Sequence, residues 1–129
     1  MDRPLVVVDA SGASPDTAPT VVFDALMAAL ERGAAFAVVV RMPDVPARGR
    51  RVAGAVERVR MLKRLRPGLS EHCRGLAFVM SEDAQRGNAK ALRSGAVMWG
   101  CPTFATDDPG QARSWAQARL ADDAAGAGA

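Results

Sequence analysis

Three short apolar runs, each followed by a helix-like segment, constrain this chain more than any other feature. They are Leu5–Val8 (LVVV), Phe36–Val40 (FAVVV) and Gly75–Met80 (GLAFVM). None alternates with polar residues, so each suits a strand buried on both faces, as in a parallel sheet. The spans between them are long enough for helical crossovers, which parallel neighbours require. The reading is β-α-β-α-β-α-β-α: strands Pro4–Ala10, Phe36–Val40, Gly75–Met80 and a short Pro102–Ala105. The predicted helices are Val21–Arg32, Arg50–Leu65, about 82–94 and Gln111–Leu120, with 122–129 a frayed tail. The fold class is therefore α/β: a single three-layer domain over 1–121, a mainly parallel sheet of about four strands, helices on both faces. The expected spatial order is 2-1-3-4.

Local signals set the boundaries. Thr20 is the expected cap of the first helix, whose stripe is Val22, Leu26, Ala29 and Leu30, and Gly33 stops it. Val52, Val56, Val59, Leu62 and Leu65 form the stripe of the second helix, and Pro67-Gly68 is read as its end. Leu69, His72 and Cys73 then fall in a connection. Ser81 caps the third helix, with Glu82 and Asp83 favourable in its first turn. Gly95–Pro102 is read as the return to the sheet. Thr106-Asp107-Asp108-Pro109 starts the last helix.

Composition excludes several classes. Of the 129 residues, 49% are hydrophobic and 24% charged, the balance of a globular domain rather than a disordered chain. No apolar run approaches the roughly 20 residues of a membrane span. The first ten residues carry Asp2 and Asp9 and do not read as a secretory signal. Two cysteines make no disulfide framework, so a cytoplasmic location is expected. The net charge of +3 is uneven: Arg41–Arg66 holds nine bases against Asp44 and Glu57, a local +7 that leaves −4 elsewhere. Such a segment steers anionic partners. With 15 Arg to 2 Lys, it is equally what codon bias produces on a solvated helix face.

The second half resembles a known group. Pro46, Ala47 and Arg48 at a helix start, Cys73, Gly75, Ala77, Phe78 and Val79 in a strand, Arg86-Gly87, Trp99, and Ala112 with Trp115 are similar to the pattern of the SpoIIAA-like, STAS/SEC14-type bacterial domains. The likeness covers roughly 35–120. It implies the same α/β fold and a non-catalytic, regulatory role. It carries no phosphorylation site, because the Asp-Ser signature of that group is not recognisable after Val40.

In open α/β sheets, ligands sit beyond the carboxyl ends of the strands where strand order reverses. For order 2-1-3-4 this places Asp9, Ser11, Arg41, Arg48 and Ser81 at a candidate ligand site. Asp9 and Arg41 have a second reading as a structural ion pair. Glu82 and Asp83 argue against a phosphate at the Ser81 helix start. Gly-rich phosphate motifs are missing, a lone His72 beside Cys73 makes no metal site, and no nucleophile, base and orienting acid assemble. No metal and no cofactor are expected. Cys73 and Cys101 precede neighbouring strands and are read as free thiols or, if close, as a disulfide pair. Trp99 is read as a core cap or as an interface anchor. Arg51, Arg58 and Arg64 are the basic-helix candidates for a partner.

The functional reading is a non-enzymatic regulatory or accessory module that binds a partner protein, a second copy as a homodimer, or a small or lipid-like ligand. The alternatives are an enzyme or enzyme subunit with its site at the strand-end crevice, and an anion or nucleic-acid binder using the Arg50–Arg66 helix. Scarce aromatics, with no Tyr, weigh against nucleic acid.

Overall fold

The computed structural model describes residues 5–12, 17–42, 55–87 and 89–127. Four strands, β1 (Leu5–Asp9), β2 (Phe36–Arg41), β3 (Cys73–Val79) and β4 (Thr103–Thr106), form one all-parallel sheet. The helices are α1 (Ala18–Glu31), α2 (Ala55–His72), α3 (Glu82–Gly87), α4 (Ala89–Arg93), α5 (Gly95–Trp99) and α6 (Pro109–Ala127). The α/β class and the three layers are as expected from sequence.

The strand order is not. It runs 1-2-3-4, so β1 lies at an edge instead of between β2 and β3. Right-handed crossovers that step one way across a sheet must all pass over the same face. Accordingly α1 and α2 share a core with Val38, Val40, Leu76 and Phe78 on that face. Among the described residues it is α6, which follows the last strand and crosses nothing further, that covers the other face. There Ala112, Ala116 and Leu120 pack on Ala37, Val39, Ala77 and Val79. Its cover thins toward β1: Leu5 packs against this cluster, but Val7 is 50% exposed where burial on both faces was expected. An apolar run reports hydrophobicity, not position in the sheet.

Four segments depart from the sequence reading. Helix α1 begins at Ala18, ahead of Thr20, with a proline in its first turn, where a missing N–H costs nothing. It ends as expected at Gly33, whose φ of 69° suits glycine and whose N–H reaches the Leu30 carbonyl. Helix α2 continues through Pro67-Gly68 to His72. A Cβ on Gly68 would sit 3.1 Å from both Leu30 methyls, so this glycine lets α1 and α2 approach rather than ending a helix. Leu69 is thereby buried in α2, while Val59, assigned to the apolar stripe, is 53% exposed. Gly95–Trp99 is a helical turn instead of plain return, closed by Gly100 in the left-handed region. Finally, α6 extends to Ala127 where a frayed tail was expected, in keeping with the helix propensity of its alanines.

Phe36 pairs with Cys73 but Ala37 pairs with Gly75, which leaves Arg74 as a β-bulge.

Candidate functional site

Because all four strands are parallel, their carboxyl ends share one edge of the sheet. The backbone ladder continues past the strands there: Ala10 N–H donates to Arg41 O, Met42 N–H to Val79 O and Met80 N–H to Thr106 O, each at 2.9 Å. These bonds hold the four strand-to-helix turns in a row. Between them lies an open cleft of about 510 Å³, lined by Ser11, Arg41, Met42, Val79, Met80, Ser81, Glu82 and Asp107. Each strand thus contributes a residue at or just beyond its end. Ser11, Arg41 and Ser81, three of the expected ligand-site residues, meet in this cleft. Arg48 lies outside the described residues.

The cleft forms without the reversal of strand order between β1 and β3 expected from sequence, because the sheet has none. Strand β2 separates them and places Arg41 level with Asp9 on one side and Val79 on the other. Convergence comes from parallelism alone. Glu82 lines the cleft where sequence put it, at the Ser81 helix start, whereas Asp107, which also lines it, was not assigned there by sequence. Only the position of β4 beside β3 brings Asp107 there.

Asp9 turns away from an ion pair. Its Oδ1 accepts the Ser11 N–H at 3.0 Å and the Ser11 hydroxyl at 2.5 Å, an Asx-type turn. Those two bonds, with a smaller contribution from the Arg41 charge, hold the Asp9 carboxyl below its ordinary value. Among the described residues no ion pair joins Asp9 to Arg41, which stays exposed. The sign follows from the depressed folded value. The carboxylate's contribution is complete above the ordinary value and is lost as pH falls through the lowered one. Ser11→Ala is expected to raise the Asp9 value toward that of an unperturbed carboxylate, read by carboxyl-carbon NMR titration. An unmoved titration would show that the hydroxyl is not the cause.

The Ser81 hydroxyl accepts the Ala84 N–H at 3.2 Å, so it caps α3 as expected. Asp83, beside it, is engaged with Arg86. Asp108 caps α6, accepting from Gly110 N–H at 2.9 Å and Gln111 N–H at 3.3 Å. These caps fix the walls of the cleft. Among the described residues, Arg41, Glu82 and Asp107 are the charged side chains lining it, one cation and two carboxylates.

The interface candidates fare differently. The Trp99 ring lies 6.0 Å from Phe23 and 5.8 Å from Phe78, centroid to centroid, and packs on the main core. Half-buried, Trp99 packs as the core cap of its first sequence reading. The exposed large apolar side chains of α5 are Val97, 72% exposed, and Met98. On α2, Arg60, Lys63, Arg64 and Arg66 are exposed, but Arg64 lines a groove with Asp24 and Glu31 of α1. Local acids therefore temper that end of the basic face. Arg51 lies outside the described residues, and Arg58 lies in the described backbone of α2.

Among the described residues no group of three metal-ligating side chains converges, and no helix is long and apolar enough to cross a membrane. No family model, curated protein or solved structure matches the chain. The likeness to SpoIIAA-like domains rests on the residues quoted for it alone.

Proposed function

We propose that the chain is a non-enzymatic regulatory or accessory module that binds a small polar ligand at the carboxyl edge of its sheet. The observation that supports this is the convergence of Ser11, Arg41, Ser81, Glu82 and Asp107 on one open cleft. Arg41 supplies a donor for an anionic oxygen, and Glu82 and Asp107 supply acceptors for an ammonium or hydroxyl. A zwitterion matches both signs at once, whereas a bare phosphate meets two carboxylates and is disfavoured. The SpoIIAA-like pattern in the second half supports the regulatory, non-catalytic part of the reading.

The test is saturation-transfer NMR on the full chain with a panel of free amino acids, the simplest zwitterions. At least one should bind, and Arg41→Ala should weaken it about tenfold or more, the loss of a charge-assisted hydrogen bond. Arg60→Ala, on the exposed face of α2, should leave binding unchanged. Absence of any binder overturns the reading. So does turnover of a bound compound that disappears in Asp9→Asn or Arg41→Ala, which would make the cleft an active site.

A further inference from the structure

The opposite edge of the sheet holds a pair of thiols for which the proposed function has no use. Cys73 begins β3 and Cys101 stands two residues before β4. Both are reduced, and they are 2% and 5% exposed. The β3–β4 register, Leu76 with Thr103, places Cys101 level with Arg74 when carried two residues back. The Leu76 N–H donates to the Pro102 carbonyl at 2.9 Å and pins that stretch against β3.

Regular alternation along β3 would send Cys73 to the α6 face, with Ala77 and Val79. The bulge at Arg74 reverses it, so Cys73 joins the α1/α2 core, where Cys101 also lies. There the two cysteines share one core cluster, and the Cys73 thiol donates to Gly75 O at 3.4 Å. Hydrogen bonding from Cys101 favours the Cys73 thiolate and lowers its value, while the same interaction together with burial pushes the Cys101 thiol up. Of the two, Cys73 is the sulfur favoured as thiolate.

From the bulge, the shared face and the register that sets Cys101 beside the start of β3, we propose that Cys73 and Cys101 are a site of reversible oxidation to an internal disulfide by small hydroperoxides. The Cys73 thiolate attacks the terminal peroxide oxygen; an S–O bond forms, the O–O bond breaks, and the leaving oxygen takes a proton. The resulting sulfenic acid is attacked by the Cys101 sulfur. The S–S bond forms, the S–O bond breaks, and water leaves with the Cys101 proton. Two thiols and one hydroperoxide thus become one disulfide, one alcohol (water, for hydrogen peroxide) and one water. A dithiol reductant reverses the step by exchange. The disulfide closes a loop around α3, α4 and α5 and ties α5 to the end of α2. Burial selects the oxidant, because a peroxide fits where a bulky alkylating reagent does not.

The experiment exposes the reduced full chain to hydrogen peroxide, quenches in acid, unfolds it, alkylates and measures intact mass. The expected product is a monomer lighter by two hydrogens, with neither cysteine alkylated, which dithiothreitol returns to the starting mass. Its thermal midpoint should lie several degrees above that of the reduced chain, because loop closure restricts the unfolded state. In Cys101→Ala the reaction should stop at a Cys73 sulfenic acid that dimedone traps once the chain is unfolded. Should that variant not fold, the wild-type mass decides alone. Complete alkylation of both cysteines after peroxide overturns the proposal. So does a disulfide-linked dimer as the first product, or internal oxidation that appears only in denaturant.

Discussion

Leu69→Ala is expected to cost about 2–5 kcal/mol of folding stability, the range for a buried leucine truncated to alanine. Leu69 is fully buried and belongs to the main core, where α2 passes beneath α1 and runs into β3. The loss combines the transfer free energy of the deleted carbons with the cavity they leave. Collapse of that cavity is resisted on two sides. Gly68 is already tight against Leu30, and Gly100 stands over Arg66 and Ser70 with little room to settle. A domain of this size has only about 5–15 kcal/mol in total, so thermal unfolding should fall by roughly 8–20 °C. The internal comparison is Val59→Ala in the same helix. Half its side chain is in water, and the change should stay within about 0.5 kcal/mol. Denaturant titration of both variants checks the path of α2. A larger loss from Val59→Ala would restore the apolar stripe read from sequence and would end α2 before Pro67.

That comparison shows where sequence was informative. The three apolar runs and the stripe of α1 follow from periodicity and β-branched side chains, and they are strands and a helix in the structure. Gly33, Ser81 and Asp108 work as stop and caps because their chemistry is local. Pro67-Gly68 misleads because the same residues that end an isolated helix also serve close helix packing, and only the presence of Leu30 decides between them. Strand order is invisible for a related reason. An edge strand and a central strand both read LVVV when one face is covered by α1 and the other is only partly covered. The candidate site was legible in Ser11, Arg41 and Ser81, since a parallel sheet gathers its carboxyl ends whatever the order. Asp107 was not, because its place depends on β4 lying beside β3. The bulge at Arg74 left no mark in sequence. Yet it decides that Cys73 faces Cys101.

The other large effect is expected at Gly75, next to that bulge. A Cβ there would lie 2.8 Å from Trp115 Cζ3, 2.9 Å from Arg119 Cγ and 3.0 Å from Trp115 Cη2, all inside ordinary van der Waals contact. Gly75→Val should therefore destabilise by about 1–3 kcal/mol through overpacking. Two further effects oppose each other. Valine's strand preference returns up to about 1 kcal/mol. The Trp115 ring, however, is stacked on Phe104 at 5.3 Å with an interplanar angle of 18° and carries the Arg119 guanidinium 5.8 Å from its centroid. Tilting the ring away to admit valine forfeits about 0.5–1.5 kcal/mol of aromatic contact. Overpacking and lost stacking together outweigh the strand preference, so the net sign is destabilising. The cause is isolated by adding Trp115→Leu. With the indole gone the valine has room, and the double variant should be more stable than the sum of the singles by about 1 kcal/mol or more. Additive losses would mean that the strain lies elsewhere, at Arg119 or in the bulge itself, and that the fit of α6 on β3 does not depend on a glycine facing Trp115.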